Sequence, residues 1–274
     1  MTDTRSELRR TLAERFGEEI PVPDAVQGLE GLLRMAAHTT HREWADTPVG
    51  PELVRLLAAC ALSAPSKSFL QQADLVDVRD PALRDAVVSL VPSMPWMRRA
   101  PALLVFCGNG RRFRRIFERR GQPFTNEHLD AFFNPAVDAA LVLMNFIRAA
   151  DEAGLVCCPI SLLRDQPERL AALLAMPDHV FPVAGLCIGY PVQSRAVNPR
   201  LPLAATLHTD RFDDRRIDAL TDDFDRRYVA ARAAFGGPDA PAPASWSDER
   251  ARQYATAQRP GWGAFVRSRG FDVS

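Results

Sequence analysis

Ala102-Leu103-Leu104-Val105-Phe106-Cys107 is a run of six apolar residues without a polar interruption. A strand with one face in water alternates apolar and polar side chains, so this run suits a strand covered on both faces. Phe181 to Pro191 reads as another core strand, and Leu75 to Val78 and Leu155 to Ser161 as two more. In the last of these, Pro159 cannot donate to a ladder and should mark the point where pairing breaks. Helical patterns lie between the strands: Leu29 to Ala37, Glu52 to Leu62 behind Pro51, Pro81 to Leu90, and Pro167 to Leu174. Asn134 should cap a further helix with Pro135 in its first turn, and Ala136 to Ile147 within it is apolar on nearly every face. Asp213 to Phe235 reads as a polar helix, 236 to 244 as a Gly/Pro/Ala loop, and Ser247 with Asp248 and Glu249 as another helix start. Helices and short apolar strands alternate irregularly. The expected fold class is therefore α+β, a mixed, mostly antiparallel sheet flanked by helices and dimerised through the Pro135 helix.

With 274 residues, 47% of them hydrophobic, the chain can bury a sizeable core, and one large domain with peripheral arms is expected. Residues 1 to 27 carry a charged helical pattern from Ser6 to Glu19, then Pro21-Val22-Pro23, and read as an N-terminal arm. The 34 basic and 34 acidic residues cancel, which leaves no global field to recruit nucleic acid or an anionic membrane. Arg111 to Arg120 holds six arginines in ten residues, but in a neutral chain it reads as a solvated helix, or one near an anionic cosubstrate, rather than a nucleic-acid site. The N-terminus is too charged for a signal peptide and no apolar run reaches the roughly 18 residues of a membrane span, so a cytoplasmic protein is expected. The five cysteines fit neither a disulfide framework nor a zinc spacing and are expected reduced and mostly buried; a redox role for Cys157-Cys158 is the lesser reading. His38 and His41 have no third partner at metal-ligand spacing, so no metal site is expected.

One stretch has the inventory of a ligand loop. Pro65 ends the Glu52 to Leu62 helix at about residue 64. Ser66-Lys67-Ser68-Phe69-Leu70-Gln71 then offers two hydroxyls, an amide, a cation and several free backbone N–H groups. That set suits a flat heteroaromatic ring with donors and acceptors along one edge. Taken alone, it reads more readily as a helix-to-strand loop whose serines bond their own backbone.

Five segments in order resemble the flavin-dependent nitroreductase superfamily, most closely its branch of NAD(P)H:flavin reductases and oxygen-insensitive nitroreductases. They are His38-x-Thr40-x-Arg42-x-Trp44 with Pro48-Val49, Ser66-x-Ser68-Phe69-Leu70-Gln71, Gly154 to Arg164, Phe181 to Pro191, and Pro199-Arg200-Leu201-Pro202, with Trp246-Ser247-Asp248 near the end. The resemblance implies a nitroreductase-like three-layer α/β/α fold in a domain-exchanged homodimer. It also implies one FMN-binding domain over 28–274, with a C-terminal arm from about residue 208. FMN would lie in a pocket built by both subunits, with NADPH or NADH as cosubstrate. His38, Thr39, Thr40 and Arg42 with Asn198 and Arg200 would hold the phosphate and ribityl chain, while Ser66, Lys67, Ser68 and Gln71 meet the ring. Pro159, Ile160, Ser161 and Leu162 would bring a backbone N–H to flavin N5. Arg42 and Arg200 also suit a buried phosphate on their own chemistry, since a guanidinium binds it in two-pronged geometry.

Thr39, Thr40 and Asn198 depart from the branch, which has more positive charge at these places, and Lys67, Pro159 and Ser161 differ from it as well. Lys67 is expected to stabilise negative charge at the N1/O2 edge of reduced flavin and so raise its potential. The implied activity is ping-pong hydride transfer through flavin N5 to a nitroaromatic, quinone or flavin acceptor, with no catalytic side chain required. Two rivals remain: a flavin- or nucleotide-binding dimer without turnover, and a same-fold enzyme doing other flavin chemistry. For a 2′-phosphate, Arg232 or the 111 to 120 run could supply the cation.

Overall fold

A computed structural model describes residues 3–235 and 242–273, so 236–241 of the Gly/Pro/Ala loop lie outside the described residues. In chain order the elements are α1 (Thr4–Phe16), α2 (Leu29–Ala37), α3 (Pro51–Leu62), β1 (Ala73–Asp77), α4 (Pro81–Val88), β2 (Ala102–Asn109), α5 (Arg111–Arg119) and α6 (Leu129–Glu152). They continue with β3 (Val156–Ile160), α7 (Pro167–Leu173), β4 (Val180–Gly189), α8 (Ile217–Phe235), α9 (Trp246–Tyr254) and α10 (Trp262–Ser268). Two compact units form, one from residues 1–39 and 195–258, the other from 40–194 and 259–274.

The larger unit holds a four-stranded sheet in the order β1-β2-β4-β3. Each of the three pairings is antiparallel, so among the described residues the sheet is not mixed. Strand β2 is buried along its whole length, and its period of two sorts it between two cores. Leu103, Val105 and Cys107 face α4, α7 and α10 through Val87, Leu170 and Phe265. Ala102, Leu104 and Phe106 face α3 and α6 through Leu57, Val142 and Phe146. The unbroken apolar run thus reflects helices on both faces. Phe106 and Phe146, both wholly buried, meet edge to face at 5.7 Å between ring centres. Burial of a side chain of that size contributes about 1.5–3 kcal/mol.

Both strand prolines sit where a missing donor is tolerated. Pro159 does not end β3: it pairs with Leu186 and the ladder continues to Ile160 opposite Gly185. As β3 is an edge strand, the absent N–H costs no second ladder. Pro182 lies in central β4, where the register with β2 shifts after Phe106.

Several helix starts differ from expectation: α1 begins at Thr4 and not Ser6, α8 at Ile217 and not Asp213, and α6 and α9 differ as well. α6 begins at Leu129 with Pro135 inside it, the His128 ring accepting from the Asp130 N–H. Buried Ala131 and the packing of Phe132 on Phe181, at 4.6 Å between ring centres, anchor this early section. Tertiary packing therefore outweighs the breaking tendency of proline. α9 begins at Trp246, capped by Ser245, which accepts from the Asp248 N–H at 3.1 Å; Ser247 is already inside the helix.

By length and composition α6 could cross a membrane, although no uninterrupted apolar run within it reaches 18 residues. It nevertheless lays Val142, Phe146 and Ala150 on the sheet and carries a buried carboxylate, Asp138. The core helix of a globular domain satisfies both descriptions.

In the smaller unit α1 packs on α2 through Leu8, Val22 and Ala36. Arg5 of α1 donates to the carbonyls of Val22, Pro23 and Asp24, tying down the Pro21-Val22-Pro23 stretch.

Candidate functional site

The bend after α3 is held from below by α6. Asp138, 1% exposed, accepts from the Lys67 N–H at 2.9 Å and from the Gln72 N–H at 3.0 Å. One carboxylate thus closes both ends of the 66–71 segment. Ser66 Oγ accepts from the Gln71 N–H at 3.1 Å, and the Phe69 and Leu70 N–H groups are taken by the Ser66 and Lys67 carbonyls. Most of the backbone donors expected to be free are therefore satisfied within the bend. Among the described residues the Ser68 N–H has no partner.

Ser68, Phe69 and Gln71 all have left-handed backbone, with φ of 48°, 59° and 52°. Each costs about 1–2 kcal/mol in a residue with a Cβ and persists only where surrounding bonds over-determine it. Here those bonds come from Asp138, Ser66 and Arg112, whose guanidinium donates to the Gln71 carbonyl and pairs with Asp74. Asn109 strengthens the same corner, accepting from the Arg112 N–H at 3.0 Å and donating its own N–H to the Gln72 carbonyl at 2.8 Å. The basic helix α5 thus contributes a buttress. Phe69 projects outward, 82% exposed, while buried Gln72 leaves Oε1 without a protein partner.

Pro159, Ile160, Ser161 and Leu162 lie where β3 runs out. The register sets the end of β3 opposite Gly185, midway along β4, whereas the 66–71 bend precedes Ala73, which is level with Phe181 near the start of β4. Two strands also intervene, a lateral separation of about 14 Å at normal strand spacing. Pro159 is exposed and Ser161 and Leu162 are half-buried, but Ile160 packs its side chain into the core at 1% exposure, leaving only its backbone to meet a ligand. Arg259 buttresses this segment: it reaches Ser161 Oγ at 3.4 Å and pairs with Asp165 at 2.8 Å. Beside it, the Arg164 guanidinium lies over the Trp262 ring at 5.3 Å. Neither Arg259 nor α10 is visible to a local reading, since the partnership joins residues about a hundred positions apart.

Thr40 and Arg42 flank buried His41, whose N–H bonds the Cys157 carbonyl at 3.1 Å, while Trp44 Nε1 reaches the Val156 carbonyl at 3.4 Å. The segment is thereby fastened along β3. Arg42 is exposed, with its guanidinium 5.9 Å from the centre of the Trp96 ring. Cys157 and Cys158 themselves are buried, and burial pushes the Cys157 thiol up, away from the thiolate that redox chemistry needs. Cys107 is likewise raised to about 12 by burial, with Asp74 adding to it.

In the smaller unit His38 and Thr39 are half-buried after α2, and Asn198 and Arg200 flank buried Pro199. Arg15 of α1, which local sequence does not single out, bonds both segments. Its Nε donates to the Ala36 carbonyl and its Nη2 to the His38 carbonyl, both at 2.7 Å, and its Nη1 reaches the Asn198 carbonyl at 3.4 Å.

A family model described as the nitroreductase family matches residues 35–190, and one described as its C-terminal domain matches residues 198–274. The chain belongs to the nitroreductase family. Among its relatives, an FMN reductase [NAD(P)H] of Bacillus subtilis is 32% identical over 186 residues, 67% of this chain and 74% of that protein. An oxygen-insensitive NADPH nitroreductase of Salmonella typhimurium is 29% identical over 82% of this chain and 91% of its own. The solved structure of NfrA2 from B. megaterium superposes with a TM-score of 0.83 at 28% identity, covering 89% of this chain and 99% of that one. The antiparallel sheet between helices is thus the nitroreductase fold, and α1 precedes the matched region.

Proposed function

We propose that this protein is an FMN-dependent NAD(P)H oxidoreductase, acting as a homodimer in the cytoplasm on small electron acceptors such as nitroaromatics, quinones or free flavin. The observation that carries the reading is the strained bend at Ser68, Phe69 and Gln71, locked by Asp138. A plain connecting loop has no reason to hold three left-handed side-chain-bearing residues, whereas a pre-organised ligand edge does.

The residues present suit FMN. The free Ser68 N–H and the unpartnered Gln72 Oε1 offer a donor and an acceptor beside the bend, matching a ring edge that carries both. Arg42 and Arg200 would supply guanidinium groups for a phosphate, with His38, Thr39, Thr40 and Asn198 as further polar partners. Bound FMN would supply the hydride chemistry between NAD(P)H and the acceptor. The chain's own part is to orient and exclude water. Asp138 fixes the bend that would meet the ring, Lys67 would set charge there, and Pro159, Ser161 and Leu162 with the Ile160 backbone would border the bound cofactor. Arg259 keeps that last segment in place.

The homodimer is supported by an apolar stripe on α6. Phe133, Val137, Leu141 and Met144 are exposed at three- and four-residue spacing, and Leu56 and Leu62 of the neighbouring α3 are exposed beside them. The separation of the bend from Pro159 to Leu162 across the sheet also favours a ring that takes one segment from each protomer.

The test is optical. Purified protein reconstituted with FMN should be yellow, bleach anaerobically under NADPH or NADH, and recover its colour with menadione or a nitroaromatic. Colour that survives both nucleotides would instead indicate a binder without turnover, and failure to take up FMN would reject the proposal.

A further inference from the structure

Arg15 is an arginine buried to 7% exposure whose side-chain partners among the described residues are neutral carbonyls, those of Ala36, His38 and Asn198. Its own carbonyl accepts from the Arg200 N–H at 2.5 Å. Two chain segments about 160 positions apart are thus bonded to the same residue. A guanidinium stays protonated in proteins, so the charge persists, and no carboxylate in these bonds offsets it.

The charged surroundings make this arrangement costly without an anion. Arg200 is near enough to depress the Arg15 pKa further, after burial itself. A third guanidinium, Arg227, donates to the Arg200 carbonyl at 2.9 Å and leaves a buried Nη1 unpartnered, although Glu18 and Asp223 lie close enough to favour its charge. Like charges brought together with incomplete compensation are expected where a multiply charged anion completes the set. The two segments contribute only one formal cation of their own, Arg200, beside His38, Thr39 and Asn198.

We propose that Arg15 is a positioning residue for a phosphate monoester, that of FMN on the reading given above. Its fork sets the spacing of the 36–39 and 198–200 segments, and its charge adds to that of Arg200 toward the anion. The N-terminal helix is then part of the cofactor site. It lies ahead of residue 35, where the family match begins.

FMN and riboflavin differ only by the phosphate, so the ratio of their affinities isolates this role. Full-length apoprotein should be titrated with each by quenching of flavin fluorescence, at low and at high salt, for wild type, Arg15→Gln and Arg15→Lys. Arg15→Gln is expected to lower the FMN-over-riboflavin preference at least tenfold, with riboflavin affinity changed less than about threefold and the salt dependence of FMN binding reduced. Arg15→Lys keeps the charge without the fork and should lower the preference two- to fivefold. That variant also carries the test if Arg15→Gln does not fold. An unchanged preference in a folded variant, or equal loss of both flavins, would overturn the proposal. A wild type that binds neither flavin would remove the FMN reading itself, a distinct result.

Discussion

Asp138 grips Lys67 by its backbone and not by its ammonium group: Oδ1 accepts the Lys67 N–H at 2.9 Å while Oδ2 accepts the Gln72 N–H at 3.0 Å. An amide cannot replace this carboxylate, because one of its two arms would present a donor to a donor. Asp138→Asn should therefore cost about 1.5–3 kcal/mol of stability. Urea unfolding measures the loss, and FMN affinity should fall with it as the bend relaxes. A variant as stable as wild type would show that the clamp is not what holds the bend.

Asp138 also shows what local sequence can and cannot reveal. α2 and α3 were legible almost to the residue, because period and the flanking Gly50-Pro51 agree with their packing. In α6, Asn134-Pro135 imitates a helix start, while the true start depends on Phe132 meeting Phe181, a contact about fifty positions away. A single acid in the apolar Ala136 to Ile147 run was the available signal for Asp138, since an isolated carboxylate on such a helix must find buried donors. No comparable signal marked Arg15 or Arg259. Arg15 sits among other charged residues and Arg259 in a stretch of uncharged polar, Pro and Gly residues, and burial by distant segments alone distinguishes them. The 66–71 stretch stood out by composition as a candidate ligand loop, but the left-handed backbone that makes it unusual appears only once Asp138, Ser66 and Arg112 are in place.

Lys67 separates backbone and side-chain roles at one position. Its N–H is committed to Asp138 while its side chain is exposed, so replacing the side chain should leave the bend intact. With FMN bound, a nearby cation favours the more negative, reduced state. Lys67→Ser should lower the two-electron midpoint potential by about 20–40 mV, equivalent to ~1–2 kcal/mol. Redox titration against dyes of known potential measures this, and an unshifted midpoint would exclude the charge effect.

The α6 stripe makes a separate prediction about assembly. Leu141 lies between Val137 and Met144 on the exposed apolar face. Burying a carboxylate there without a partner costs several kcal/mol, enough to split an interface of ordinary strength. Sedimentation should find wild type as a dimer and Leu141→Glu as a monomer with weakened FMN binding. A Leu141→Glu protein that still sediments as a dimer would place the interface elsewhere.

His179 gives the larger unit a dependence on pH. Its Nε2 bonds the Gly270 carbonyl at 3.0 Å and therefore carries the hydrogen, and its ring packs edge to face with Phe271 at 5.5 Å between ring centres. Burial, followed by the nearby Arg114, lowers its pKa below 6.5, against weaker opposing pulls from Glu127, the Gly270 carbonyl and Asp178. As pH falls, the unfolded chain takes up the proton before the folded one does. This contribution to stability is thus complete above about pH 6.5 and declines between there and the lower folded pKa. Gln in place of His179 can still donate to the carbonyl but does not titrate in this range. Between pH 7.5 and 5.5 the melting temperature of wild type should consequently drop by more than that of His179→Gln. Parallel slopes would assign the acid sensitivity to other groups.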